Sequence, residues 1–222
     1  MSKTYSLWYL ASVGKQPSIQ YMDKRTLDKI RENRPLFRNG IQSFSLTKAE
    51  IDRILCFAPN ESWFLNPSIS KSIHGISHML RVTILVYILC SSKAFDQDSL
   101  DALLLAASVH DTQRYDDKAD EGHEDRASSF LTTNNFSSLS SAIRTEAADI
   151  LKQKSELTEI LRAADALDRY RLPKIKWWIN DKYLLNPLSD DIKSFAFDFM
   201  VKSENEILNG KSHQQAVINY FL

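Results

Sequence analysis

Apolar residues return at helical spacing through most of this chain. SLTKAEIDRILCFA opens on an N-cap candidate, Thr47 or Ser45, and sets Ile51, Ile54, Leu55 and Phe57 on one side. Further helix-period patterns follow at 74–90, 99–111, 122–132, 137–153, 155–170, 190–209 and 212–222, with turn signals between them. APNESWFLNPSIS, with its two prolines, reads as a loop. No internal repeat or low-complexity tract interrupts the pattern, and glycines number five and prolines six. The chain is therefore expected to be all-α, a helical bundle over 46–222. Residues 1–45 are patterned less clearly. YSLWYLASV and SIQYM have the aromatic and β-branched character of a short hairpin around 14–17, and fit a helical or irregular arm equally well.

Composition narrows the function classes. At 222 residues with 43% hydrophobic and 25% charged content, the chain reads as one globular domain able to bury a core. Twenty-eight basic residues balance 28 acidic ones, so no overall field recruits nucleic acid or an anionic membrane; nucleic acid stays open only through a local basic patch, and a polyanionic substrate must be caught by a local site. Cys56 and Cys90 lack CxxC spacing and are expected to be buried free thiols of a reducing compartment, the cytoplasm by default. MSKTYSLWYLASVG lacks the continuous apolar stretch of a signal peptide. The longest apolar run, 82–90 with Thr83 inside it, is far below the ~20 residues that span a bilayer. A soluble protein without membrane contact is expected, with homo-oligomerisation left open.

The chemistry centres on AASVHDTQRYDDKADEGH, 106–123. A leucine-rich helix (Leu100, Leu103, Leu104, Ala107) runs into His110–Asp111, and a residue eleven after Leu100 returns to nearly the same face, so Asp111 should point at the core. An ionised carboxylate there is costly unless neutralised, and the adjacent imidazole suggests a metal ion. In SIHGISHMLRV, His74 and His78 lie four apart, and their face continues through Val82, Leu85 and Leu89. In LRAADALDRYRLP, Leu157, Leu161 and Ala164 lead to Asp165 and Asp168. Each segment alone has an ordinary explanation, a core histidine or a helix-end carboxylate paired with Arg169 or Arg171. Three apolar stripes that all end in His or Asp point instead to a shared cation. His78, His110, Asp111 and Asp165 suit Mn, Fe, Co, Ni, Zn or Mg and do not select among them.

HGISHMLRV, VHDTQR and AADALDRYRL, in that order, resemble the HD-domain metal-dependent phosphohydrolases, whose pattern is a histidine, a His-Asp doublet and a later aspartate on successive helices. The resemblance covers about 72–172. It implies one divalent ion held by His78, His110, Asp111 and Asp165, with a second ion in some relatives. His123 sits where such relatives carry an extra histidine, as a second-metal ligand or phosphate contact; the plain alternative is a polar first residue of the next helix. His74 corresponds to the acid-donating histidine of cyclic-nucleotide phosphodiesterases, for proton transfer, phosphate binding or support. Neither the GYP signature of the cyclic-dinucleotide branch nor the Glu-Asp-Thr run of alarmone hydrolases is present, so the substrate subfamily is open.

The implied activity is attack of metal-activated water at phosphorus in a small phosphorylated substrate, foremost a nucleotide. Arg114 and Arg81 lie near enough to hold phosphate oxygens, Arg81 having the alternative of pairing with a site carboxylate. Asp168 would orient a water or a ligand histidine. Asp116, Asp117, Asp120 and Glu121 read as a solvated loop, with Asp117 or Asp120 reaching the site as the alternative. Trp177–Trp178 would pack a core or interface, or wall a nucleobase pocket. Two other classes stay open: a di-iron oxygenase on the same scaffold, and a non-catalytic interaction protein whose metal is structural.

Overall fold

A computed structural model describes residues 5–38, 44–91, 93–134, 136 and 139–222. Among these residues there is no strand; the bundle is built from α1 (Leu7–Ser12), α2 (Lys24–Glu32), α3 (Lys48–Leu55), α4 (Ile76–Cys90), α5 (Gln97–Val109), α6 (His123–Thr133), α7 (Ser141–Lys152), α8 (Glu156–Asp168), α9 (Asp190–Leu208) and α10 (His213–Ile218). The expected all-α class is what is found. The helix expected over 137–153 has its first two positions outside the described residues.

Local chemistry sets most of these starts. Ser6, Asp23, Thr47, Asp96, Ser140, Ser155, Ser189 and Ser212 each cap a helix by accepting a backbone N–H of its first turn, and Thr47 and Glu50 close a reciprocal capping box. Only α4 and α6 begin without a side-chain cap, at Gly75 and Gly122. These two helices carry His78 and His123.

The core is continuous across α4, α5, α7, α8 and α9. α4 is buried almost all round, from Ser77 through Val86, which is why its apolar run has no polar face. No helix among the described residues is long and apolar enough to cross a membrane. Of the alternatives for residues 1–45, the helical one is found at α1 and α2. Asp23 ties the two together by capping α2 and accepting the Leu7 N–H at 2.7 Å. Leu7 and Ile30 then bury against Tyr170, Trp178, Phe197 and Met200 in a second apolar cluster. Both cysteines are free, but only Cys90 is buried; Cys56 caps α3 at the surface, which corrects the expectation for that residue.

Candidate metal centre

Three helix ends meet at the site. α5 stops at Val109, so His110 is its C-cap and Asp111 lies on the turn beyond, where Thr112 N–H bonds back to Val109 O at 2.9 Å. The helical face expected to carry Asp111 is therefore not continued, yet the turn folds the carboxylate inward to 4% exposure. α8 delivers Asp165 and Asp168 from its last turn, and the carbonyl ends of α5 and α8 both favour positive charge. His78 comes from the first turn of α4. His74 precedes that helix, so the two histidines do not share a helical face as expected; their rings meet edge to face at 5.8 Å. Gly75 makes this turn fit, because a Cβ there would run into the carbonyls of Ile69 and Ser70.

The four expected donors converge. His78 Nε2 lies 3.2 Å from His110 Nε2, 3.5 Å from Asp111 Oδ2 and 3.4 Å from Asp165 Oδ1. His110 Nε2 lies 3.9 Å from Asp111 Oδ2 and 4.0 Å from Asp165 Oδ1. Donors bound to one ion at about 2.1 Å stand about 3.0–4.2 Å apart, so His78 and His110 are spaced to share an ion with Asp165. The outer ring nitrogens decide the tautomers. His78 Nδ1 sits 2.8 Å from Asp168 Oδ2 and His110 Nδ1 2.7 Å from Ala107 O. Both oxygens can only accept, so each Nδ1 carries the proton and each Nε2 turns a lone pair inward.

Two lone pairs and two carboxylates thus face one another in a nearly dry place. Burial pulls the His110 imidazole down and keeps it neutral. Burial also opposes ionisation of Asp165, but positive charge on the His78 ring, when it is protonated, and on the Arg171 guanidinium outweighs it and holds that carboxyl below its ordinary value. Such a set repels itself unless a cation sits within it. Among the described residues, the ligand atoms of His74, His78 and Asp111, and those of His78, His110 and Asp165, each lie within 4.8 Å of one another.

His123 is brought to the opposite oxygen. Its Nε2 is 3.3 Å from Asp111 Oδ1, and its Nδ1 is committed to Asp120 O at 2.6 Å. His74 Nδ1 is 2.7 Å from Asp111 Oδ2. Arg114 donates to Asp111 Oδ1 at 3.2 Å while bonding Asp116 O and Lys118 O, which fixes the loop before α6.

Arg81, expected to hold phosphate or to pair with a carboxylate, does the second. It is fully buried, with Nε and NH2 on Asp168 at 2.6 and 3.0 Å and NH1 on Glu204 at 2.7 Å, so its charge is committed to two carboxylates. Asp168 bridges this arginine to His78. The acidic loop is not simply solvated. Asp117 accepts from Gln20 N and from Ser72 Oγ, and Ser72 Oγ in turn accepts from His74 N at 3.1 Å, so the carboxylate braces the turn beneath His74. Asp120 pairs with Arg126 and accepts Tyr115 N–H. Trp178 donates to Leu172 O at 2.8 Å and packs on Tyr170 and Phe197, away from the donors; Trp177 packs against the same cluster. The nucleobase wall is not realised there.

Two residues of the site went unrecognised in the sequence. Glu204 reaches Arg81 from α9 across 123 positions of chain. Arg171 places NH2 3.1 Å from His78 Nε2, although the sequence suggests only a partner for a helix-end carboxylate. No family model matches the chain, and no curated protein or solved structure matches it either. What defines it is an all-α bundle with a buried His/Asp cluster that can hold a metal ion.

Proposed function

We propose that the protein is a metal-dependent phosphohydrolase of the HD-domain kind, acting on a nucleotide or other small phosphoester. A divalent ion of the Mn, Fe, Co, Ni, Zn and Mg group would be held by His78, His110, Asp111 and Asp165. The observation that carries this reading is the turning of Nε2 of both His78 and His110 inward, fixed by Asp168 and Ala107 O at Nδ1, opposite two carboxylates at spacings of 3.4 to 4.0 Å.

When bound, the ion supplies Lewis acidity to a phosphoryl oxygen and lowers the pKa of water. The chain supplies the rest. Burial pushes the His74 ring down to about 3 even though Asp111 works against it, so the imidazole is neutral in the metal-free protein. With Nδ1–H on Asp111, its Nε2 is the atom that would hand a proton to the leaving oxygen. Asp165, whose side chain is 33% exposed, is the most accessible of the four donors. Arg114 offsets the negative charge of Asp111 from the loop side.

A panel of phosphoesters incubated with Mn, Co, Ni, Mg or Fe, beside Asp111→Ala, tests the assignment. Phosphate release by the wild type that disappears in the variant is expected. Release from no compound with any of the metals overturns it. One observation favours a second reading: His123 Nε2 on Asp111 Oδ1 gives that carboxylate a donor partner on each oxygen, as a di-iron oxygenase would need. Oxygen uptake with ferrous iron, without phosphate release, would select it.

A further inference from the structure

Arg171 is the guanidinium nearest the four donors, and its hydrogen bonds do not close. It lies on the helical turn Arg169–Arg171 that directly follows α8, and is 2% exposed. Nε donates to Ile73 O at 2.6 Å and NH1 to Asp168 O at 3.1 Å, so two buried carbonyls pin the fork on two sides. Swinging it away would leave both short of a donor. The third nitrogen, NH2, has no oxygen partner. It faces His78 Nε2 at 3.1 Å and His74 Nδ1 at 3.2 Å.

Neither nitrogen is a lasting acceptor. His74 Nδ1 is 2.7 Å from Asp111 Oδ2 and gives its proton there. His78 Nε2 can accept from NH2 only while its lone pair is unshared, and that lone pair belongs to the metal set. Loading the site therefore strips NH2 of its acceptor, on a side chain only 2% exposed and beside a second positive charge. A buried guanidinium left so is costly. An oxyanion between the two cations resolves both problems, because one oxygen can meet the metal while another accepts from NH2.

We propose that Arg171 is the anion-holding group of this centre, binding a tetrahedral oxyanion such as a terminal phosphate jointly with the metal, so that metal and oxyanion bind cooperatively. This rests on the metal-centre reading above and adds the residue that recognises the phosphoryl group. Arg81 is fully buried with all three of its nitrogens on Asp168 and Glu204, and Arg114 is turned to Asp111 and two carbonyls.

The test is direct binding, independent of turnover. Inorganic phosphate is titrated into the protein with and without Mn2+, and Mn2+ affinity is read by electron spin resonance with and without phosphate. Wild type should bind each ligand about tenfold or more tightly when the other is present. Arg171→Met should bind Mn2+ alone at least as tightly as wild type and lose the coupling; Arg171→Lys, with charge but no fork, should fall between. Coupling of wild-type size in both variants, or Mn2+ binding to wild type with no effect of phosphate, overturns the role of Arg171 and leaves the metal centre standing. No Mn2+ binding by wild type overturns the metal centre and this inference with it. Should Arg171→Met fail to fold, thermal melting of the wild type serves: shifts by Mn2+ and phosphate that merely add count against the proposal, and a joint shift larger than their sum supports it.

Discussion

Asp165 and Asp168 sit three residues apart on the last turn of α8, and they have opposite surroundings. Asp165 keeps a third of its side chain exposed and faces two imidazole lone pairs. Asp168 is 1% exposed and is held by both arms of Arg81 and by the His78 ring. The same contrast divides the whole site. One layer, His78, His110, Asp111 and Asp165, turns imidazole nitrogens and carboxylate oxygens towards one another. The layer beneath, Glu204, Arg81 and Asp168, spends nearly everything on itself. A carboxylate in the first layer is available because the second layer holds its neighbours still. Removing a member of the lower layer should therefore act on stability and orientation, and removing one of the upper layer on binding.

The largest effect is expected where the lower layer is cut at its middle. Arg81→Met removes the cation that joins two carboxylates, Asp168 at 1% and Glu204 at 5% exposure. Stranding a buried partner typically costs about 3–5 kcal/mol. Urea unfolding should show a loss of that size. A loss under about 1 kcal/mol, the range of an exposed pair, would mean that the two layers do not differ in this way.

Asp117 lets the comparison be tested with pH, because it braces the turn below His74 with a charge that is poorly solvated. Burial pushes its carboxyl up to about 6 from 3.8, against the pull of the Gln20 N–H and the Ser72 hydroxyl. The folded state thus holds the proton more tightly than the unfolded chain. Its contribution to stability is present in full below 3.8 and is lost as pH rises towards 6, by about 3 kcal/mol. Asp117→Asn keeps an acceptor and drops the charge. Relative to wild type it should gain stability between pH 4 and 7 and flatten the slope over that interval, read by unfolding at a series of pH values. Parallel wild-type and variant profiles would show that Asp117 does not titrate there.

What could be read from sequence follows the same division. The helices were legible because a period and a cap are local: Ser155, Ser189 and Ser212 each lie beside the run they start. His78 and Asp165 could be picked out as well, since each sits on a helix whose apolar stripe it adjoins, whereas Asp111 comes in from a turn rather than from the face its spacing suggests. The end of α5 at Val109 was not legible, because no glycine or proline marks it and the turn is held by Thr112 and Arg114. His74 leaves the helical face for a tertiary reason, the approach of Gly75 to the carbonyls of Ile69 and Ser70. The lower layer was half hidden. Asp168 belongs to the same stripe as Asp165, but Glu204 lies on α9 and Asp117 looks like one more charge in an acidic loop until Gln20, 97 residues away, is packed against it.

The mildest test separates orientation from charge within one residue. Asp168→Asn keeps the shape of the carboxylate but carries only one acceptor oxygen, while three donors converge on the group: Arg81 Nε and NH2 and the His78 Nδ1–H. If the amide nitrogen turns to His78, it donates to Nδ1 and drives the ring proton to Nε2, which removes the lone pair the metal set requires. If it turns to Arg81 instead, two donors face each other and the fork loosens. Either way the first layer keeps all four of its own residues and loses the aim of one. Metal affinity should fall about 10–100-fold, the usual cost of losing a partner behind a ligand, with near-ultraviolet circular dichroism unchanged. Asp165→Asn, by contrast, removes a donor and should leave the His78 tautomer intact, a difference that proton–nitrogen NMR of the metal-free protein can see at the ring. An Asp168→Asn variant with the wild-type Nδ1–H signal and wild-type affinity would place the orienting role elsewhere, and Glu204 with Arg81 would then serve stability alone.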